Sequence, residues 1–204
     1  MEQSVIKVQG KIPRDVGVAV SGGVDSMVIM DFLRKNHNVT VYHFNHATKH
    51  ADLFERFVRV VCGKFNIPVV VGDIKNPRPK GKSWEEYWRD ERYAWFAEQG
   101  QTIVLGHHLD DCVETYLFNM CNGKDYTIPY RHGNCIRPFR LNRKSKIVDR
   151  LKGRIDLPWV EDPSNVDEKY KRNYIRHNLL PEALHVNPGL YKVIAKRIAT
   201  ETIE

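Results

Sequence analysis

Apolar positions along the first 120 residues recur in two alternating rhythms. Val16–Val20 is a short apolar run that reads as a strand. Ser26–Arg34 reads as a helix, with Met27, Met30, Phe32 and Leu33 apolar. Val39–Phe44 is a second strand. In Ala51–Phe65, apolar residues recur at three and four (Phe54, Phe57, Val58, Val61, Phe65), as a helix requires. Pro68–Val71 is a third strand. Ser83 opens the next helix, with Glu86 at capping-box spacing, and that helix runs to about Glu98. Thr102–Leu105 is a fourth strand, and Leu109–Cys121 a helix that stops near Gly123. Four strand–helix alternations predict an α/β fold: an open parallel sheet with helices on both faces. After Gly123 the alternation stops, and loops lead to two predicted C-terminal helices. We therefore divide the chain into an α/β unit over residues 1–130 and a basic loop with a helical extension over 131–204, packed on the same domain.

Charge changes this picture in one place. The net charge is +7, and residues 131–154 hold nine Lys/Arg against one acid, Asp149. A concentrated cationic segment suits a polyanionic partner. Apolar content of 42% and charged content of 28% fit a globular chain rather than a disordered one. No run approaches the roughly 20 apolar residues of a membrane span, and residues 1–16 show no secretory signal, so the expected location is the cytoplasm. The four cysteines lack C-x-x-C spacing and read as reduced thiols rather than as a disulfide frame or zinc site.

The turn between the first strand and the first helix carries the strongest chemistry, S-G-G-V-D-S at 21–26. Gly22 and Gly23 clear side chains from a helix N-terminus, whose unpaired amides can close round an anion. Ser21 and Ser26 add hydroxyls. A carboxylate at Asp25 would repel phosphate unless a cation, most simply Mg²⁺, stood between them. The loop lacks the lysine of G-x-x-x-x-G-K-[ST]. At the end of the fourth strand, L-G-H-H-L-D-D-C-V-E holds His107, His108, Asp110, Asp111 and Glu114. His107, Asp111 and Glu114 share a face if the helix starts early, and such a set can hold a metal or move a proton. His43 reads as a buried strand residue. Arg89 and Arg92 lie three apart on a helix, and Arg172 and Arg176 make a second cationic face.

Together these segments resemble the tRNA(Ile)-lysidine synthetase family, within the N-type ATP pyrophosphatases (PP-loop enzymes). The matching blocks are S-G-G-V-D-S at 21–26, H-F-N-H at 43–46, R-x-x-R-Y at 89–93, G-H-H-L-D-D-x-x-E-T at 106–115, I-R-P-F at 136–139, and E-D-P-S-N at 161–165 with R-N-Y-I-R-H at 172–177. The resemblance implies a Rossmann-like fold of the adenine nucleotide alpha hydrolase type. It also implies a reaction: ATP adenylates the C2 oxygen of the wobble cytidine in the CAU anticodon of tRNA(Ile). Free lysine then displaces AMP, giving lysidine. By that match Ser21, Gly22, Gly23, Val24, Asp25 and Ser26 bind ATP, and Asp25, His107 and Asp111 are catalytic. Asp25 and Asp111 are the candidate Mg²⁺ ligands. Arg89, Arg92, Arg137, Arg140, Arg172 and Arg176 are candidate phosphate or RNA contacts.

The chain departs from the family at Ala47-Thr48-Lys49, where Gly then Leu-Arg is usual, and at Asn122-Gly123-Lys124, where Arg-Gly and a second glycine are usual. Family members also carry C-terminal domains that grip tRNA, so a homodimer or a helper protein is an expected partner. Three other readings share parts of the pattern. A tRNA thiolase would need clustered cysteines, a small-molecule adenylating ligase has no use for the basic window, and a non-catalytic RNA-binding module has no use for Asp25, His107 and Asp111.

Overall fold

The computed structural model describes residues 5–152, 154–161 and 171–203. Six strands form one sheet in the order β3-β2-β1-β4-β6-β5: β1 Asp15–Ala19, β2 Asn38–Asn45, β3 Val69–Asp73, β4 Ile103–Val104, β5 Arg131–His132 and β6 Cys135–Ile136. All neighbours pair in parallel except β5 with β6. Helices α1 (Val24–Leu33), α2 (Ala51–Lys64), α3 (Trp84–Ala97) and α4 (Leu109–Met120) follow the first four strands. The alternation predicted an open parallel sheet, and the first four strands and helices lie where it placed them. The antiparallel edge strand β5 makes the sheet mixed.

Residues after 130 join the same sheet and core. β6 lies beside β4, and Ile136, Phe139, Ile147, Leu151 and Leu157 are buried in one cluster with Val16, Val18, Met27 and Leu33. Helix α5 (Lys144–Val148) packs on α1. The C-terminal part is α6 (Lys171–Tyr174), a π-helical turn (Ile175–Leu179) and α7 (Leu180–Val186) in direct succession, then α8 (Leu190–Ala199). Leu180, Leu190, Ile194 and Ile198 pack with Leu109, Cys112 and Val113 of α4 in a second cluster.

Glycines permit two close approaches within the sheet layers. A β-carbon at Gly72 would meet the Trp95 ring at 2.2 Å, and one at Gly17 would meet Tyr42 at 2.7 Å. The chain moves outward from β1 on one side through β2 to β3, and on the other through β4 to β6. The order therefore reverses between β1 and β4. At such a switch point the loops leaving two neighbouring strands diverge and open a crevice at their carboxyl ends. The loops leaving β1 and β4 are residues 20–23 and 105–108, which carry the two strongest sequence motifs.

Candidate active site

The loop after β1 is held by its own serines. Ser26 Oγ donates to the Gly23 carbonyl at 2.9 Å and accepts from the Ser21 N–H at 3.2 Å, and Ser21 Oγ accepts from the Gly23 N–H at 3.3 Å. Gly22 stands at φ +94°, and Val160 N–H donates to its carbonyl at 3.0 Å. Gly23 caps α1 with no side-chain bond to the first turn. A β-carbon at Gly23 would meet only Ser21 Oγ, at 3.4 Å, so the approach to the helix amides is open. Gly106 brings the β4 loop against α1: a β-carbon there would lie 3.6 Å from Ser26 Cα.

The loop after β4 turns two adjacent histidines into opposite surroundings. His108 is 3% exposed and caps α4: its N–H donates to Asp111 Oδ2 at 2.9 Å, and its Nδ1 lies 3.3 Å from the Asp111 N–H and carboxylate. Its Nε2 lies 3.6 Å from Asp25 Oδ1, and Nδ1 lies 3.6 Å from Asp110. Burial pushes the His108 pKa down, but the carboxylates of Asp111, Asp25 and Asp110 outweigh it, and the net shift is upward. Asp25 is the converse case. Burial raises its pKa, His108 and Lys144 lower it, and the net is downward; Lys144 Nζ lies 3.3 Å from Oδ2. Asp110 is held by Arg143 Nε at 3.2 Å and by the Lys144 N–H at 2.7 Å. Helices α1, α4 and α5 thus meet in one alternating network of acids and cations.

His107 lies two residues before α4 and among arginines. Burial first, then Arg137, Arg172 and Arg92, hold its pKa well below the usual histidine value, so the ring is neutral. Its Nδ1 is buried and has no hydrogen-bond partner among the described residues. Arg137 is 1% exposed and donates to the Pro129 carbonyl and to Tyr93 Oη, at 2.8 and 2.6 Å. Arg172 donates to Thr115 Oγ1 at 3.1 Å. Arg92 Nε is buried without a hydrogen-bond partner among the described residues, and Arg89 is exposed.

The expected face of His107, Asp111 and Glu114 does not form, because α4 begins at Leu109. Asp111 pairs with His108, and Glu114 pairs with Arg176 through two bonds of 2.7 and 2.8 Å. Arg176 is therefore bound to an internal acid. Arg140 is wholly buried against the Ile128 carbonyl and Glu201, so no part of it reaches a ligand at the surface. Asp162–Asn165 lie outside the described residues. His43 is the buried strand residue expected, its Nδ1 donating to the Val20 carbonyl at 2.8 Å. His108 was named in its cluster but given no role of its own, and Lys144 was not singled out by its sequence position. The visible signal was only a second histidine beside His107 and one lysine in a run of cations.

A family described as PP-loop domain matches residues 1–183. The chain belongs to this PP-loop family. Among curated proteins, a tRNA(Ile)-lysidine synthase of Thermotoga sp. (strain RQ2) is 32% identical over 202 residues, covering 89% of this chain and 48% of that protein. One from Bacteroides thetaiotaomicron is 33% identical over 188 residues, covering 85% and 44%. The chain thus spans about half the length of the curated relatives it matches. Among solved structures, an NH3-dependent NAD synthetase from Campylobacter jejuni aligns over 94% of this chain and 90% of its own, at 16% identity and a TM-score of 0.48, a likeness too distant to bear on function. In this PP-loop domain no helix among the described residues is long and apolar enough to cross a membrane. No group of three or more His, Cys, Asp or Glu side chains among them could hold a metal ion. The His108 ring stands between Asp25 and Asp111, so the two carboxylates do not form a chelate. Asp25 alone, whose buried Oδ1 has no hydrogen-bond partner among the described residues, suits an ion that arrives with its own phosphate and water ligands.

Proposed function

We propose that the chain catalyses ATP-dependent ligation of lysine to C2 of the wobble cytidine in the CAU anticodon of tRNA(Ile), through an adenylated cytidine, giving lysidine. The carrying observation is the opposed setting of His107 and His108 at the β1/β4 switch point. One side of the pair is cationic and suits phosphates; the other is acidic and suits an ammonium group. The names of the curated relatives support the same reading.

In this reading the amides of residues 22–26 and the hydroxyls of Ser21 and Ser26 cradle the phosphates of ATP. Mg²⁺, held by Asp25, would neutralise charge as pyrophosphate leaves. Arg92 and Arg172 orient the phosphate of the adenylate, and the neutral His107 offers them no competing charge. The C2 oxygen attacks the α-phosphorus, and the bond to pyrophosphate breaks. The lysine ammonium settles against the acidic side and gives a proton to Asp111. The amine then forms the C2–N bond as the C2–O bond to AMP breaks. Further tRNA contacts from a second copy or a helper protein, and a cytoplasmic setting, belong to the same proposal.

The cysteines weigh against thiolation. Burial pushes Cys62 and Cys135 to about 11 and Cys112 to about 12, so these thiols stay protonated and unreactive. Incubation with ATP, Mg²⁺, labelled lysine and a CAU-anticodon tRNA should place label in RNA and release AMP and pyrophosphate. Release of ADP would reject the reading. Asp25→Ala and Asp25→Asn should abolish AMP release while tRNA affinity stays within about twofold, with melting curves confirming that both variants fold.

A further inference from the structure

A row of rings runs along α3 from the surface to the carboxyl edge of the sheet. Trp84 is 52% exposed. Its ring lies 5.5 Å from Trp88, one helical turn on and tilted by 33°; Trp88 lies 5.9 Å from His46, just beyond β2. The Arg78 guanidinium rests 4.4 Å over the Trp84 ring. Core packing explains Trp95, which is 7% exposed and fills the space over Gly72. It does not explain a tryptophan half in water. Nor does it explain Trp88 Nε1, His46 Nδ1 and Arg92 Nε, all buried and without hydrogen-bond partners among the described residues. Buried polar atoms left unpaired call for a partner, and beside an exposed row of rings a ligand is one that would supply it.

The surroundings say what kind of ligand. The loop before α3, K-N-P-R-P-K-G-K at 75–82, has four cations and no acid; Lys75 pairs with Glu98 and Lys82 with Asp90, so Arg78 and Lys80 supply its outward charge. It is braced: the Asn76 side chain donates to Glu91 at 3.0 Å, and Tyr87 donates to the Asn76 carbonyl. Lys80 and Arg89 are exposed. A protein partner's apolar side chain would meet a cationic rim there. A planar, hydrogen-bonding ring on a phosphate backbone would find stacking, donors and countercharge together.

We propose that Trp84, Trp88 and His46 form a stacking site for one unpaired nucleobase of the RNA, beside the reacting nucleotide, with Arg78 in the place that this base takes over the Trp84 ring. The proposal rests on RNA being the substrate. The test uses the full chain, a 17-nucleotide stem–loop with a CAU loop, and a fully paired hairpin of the same length, with ATP affinity measured alongside. Trp84→Ala should weaken stem–loop binding about tenfold, the scale of one lost base–aromatic stack. It should leave the paired hairpin, ATP affinity and the salt dependence unchanged, and Trp84→Phe should restore most of the loss. Wild-type affinity in Trp84→Ala, or equal weakening for both RNAs, would overturn the stacking site alone. Altered sedimentation with unchanged RNA affinity would assign the ring to a protein contact instead, and so reject it. A wild-type chain that binds neither RNA would overturn the RNA reading as well.

Discussion

Ala47 stands at φ +53°, a left-handed conformation in which a β-carbon crowds the following carbonyl. The turn holds it there: Ala47 N–H donates to Asn45 Oδ1 at 2.9 Å, while Asn45 Nδ2 donates to Asp52 and Glu55. Glycine relieves the crowding but costs more chain entropy, so Ala47→Gly should stabilise the fold by a net of about 0.5–1 kcal/mol. A melting temperature raised by about 1–4 °C would register it; a lowered one would mean that the turn does not impose this conformation. At the same scale His46 is a pH-sensitive group. Burial first, and then Arg92, depress it to about 4. The unfolded chain therefore binds the extra proton between pH about 6.5 and 4, so stability from this residue is present above that window and is lost as pH falls through it.

Helix α1 shows what an element needs beyond periodicity. It is apolar nearly all round because it is covered nearly all round, and its one buried acid, Asp31, faces Arg34 at 2.6 Å, Lys35 at 3.5 Å and Arg154 at 2.9 Å. Asp31→Ala removes the shared anion of three partly exposed cations, of which Arg154 keeps Asp156, and should cost about 1–2 kcal/mol, read as a lower urea midpoint. Burial raises the Asp31 pKa, but Arg154 and Arg34 lower it further, so the stabilisation is present above pH 3.8 and fades as pH falls below that. The first four strand–helix units were legible because each has a long apolar period or a capping pattern. Strands β5 and β6 show why the rest was not. Each is two residues long, and Cys135–Ile136 enters the sheet by pairing with β4 and β5, too short a stretch to leave a period in the sequence. The site was legible in its loops and hidden in its partners. S-G-G-V-D-S marks a turn by itself, whereas the pairing of Lys144 with Asp25 depends on α5 packing on α1. The direction of each histidine depends on where α4 begins.

At the scale of the molecule, most cations of the basic window already have partners within the fold. Arg137 and Arg140 are buried; Arg143, Lys144, Lys152 and Arg154 are paired with Asp110, Asp25, Asp149 and Asp31; Arg150 lies over Phe32. A run of like charge in sequence does not become a face when the fold supplies acids and aromatic rings to meet it. In the proposed function, RNA contact would then fall to exposed cations such as Arg78, Lys80, Arg89 and Arg131, rather than to all nine of the window. Released counterions count those contacts: nine phosphates would give a slope of log K against log salt near −8, and four a slope near −4. We expect a slope of about −4 or shallower for tRNA binding between 50 and 200 mM salt. Arg131→Ala should flatten it by about one. Arg140→Met should leave it unchanged while lowering stability, because the lost guanidinium is wholly buried and strands Glu201 and the Ile128 carbonyl. A slope near −8, or one flattened by Arg140→Met, would mean that the window opens outward when RNA binds.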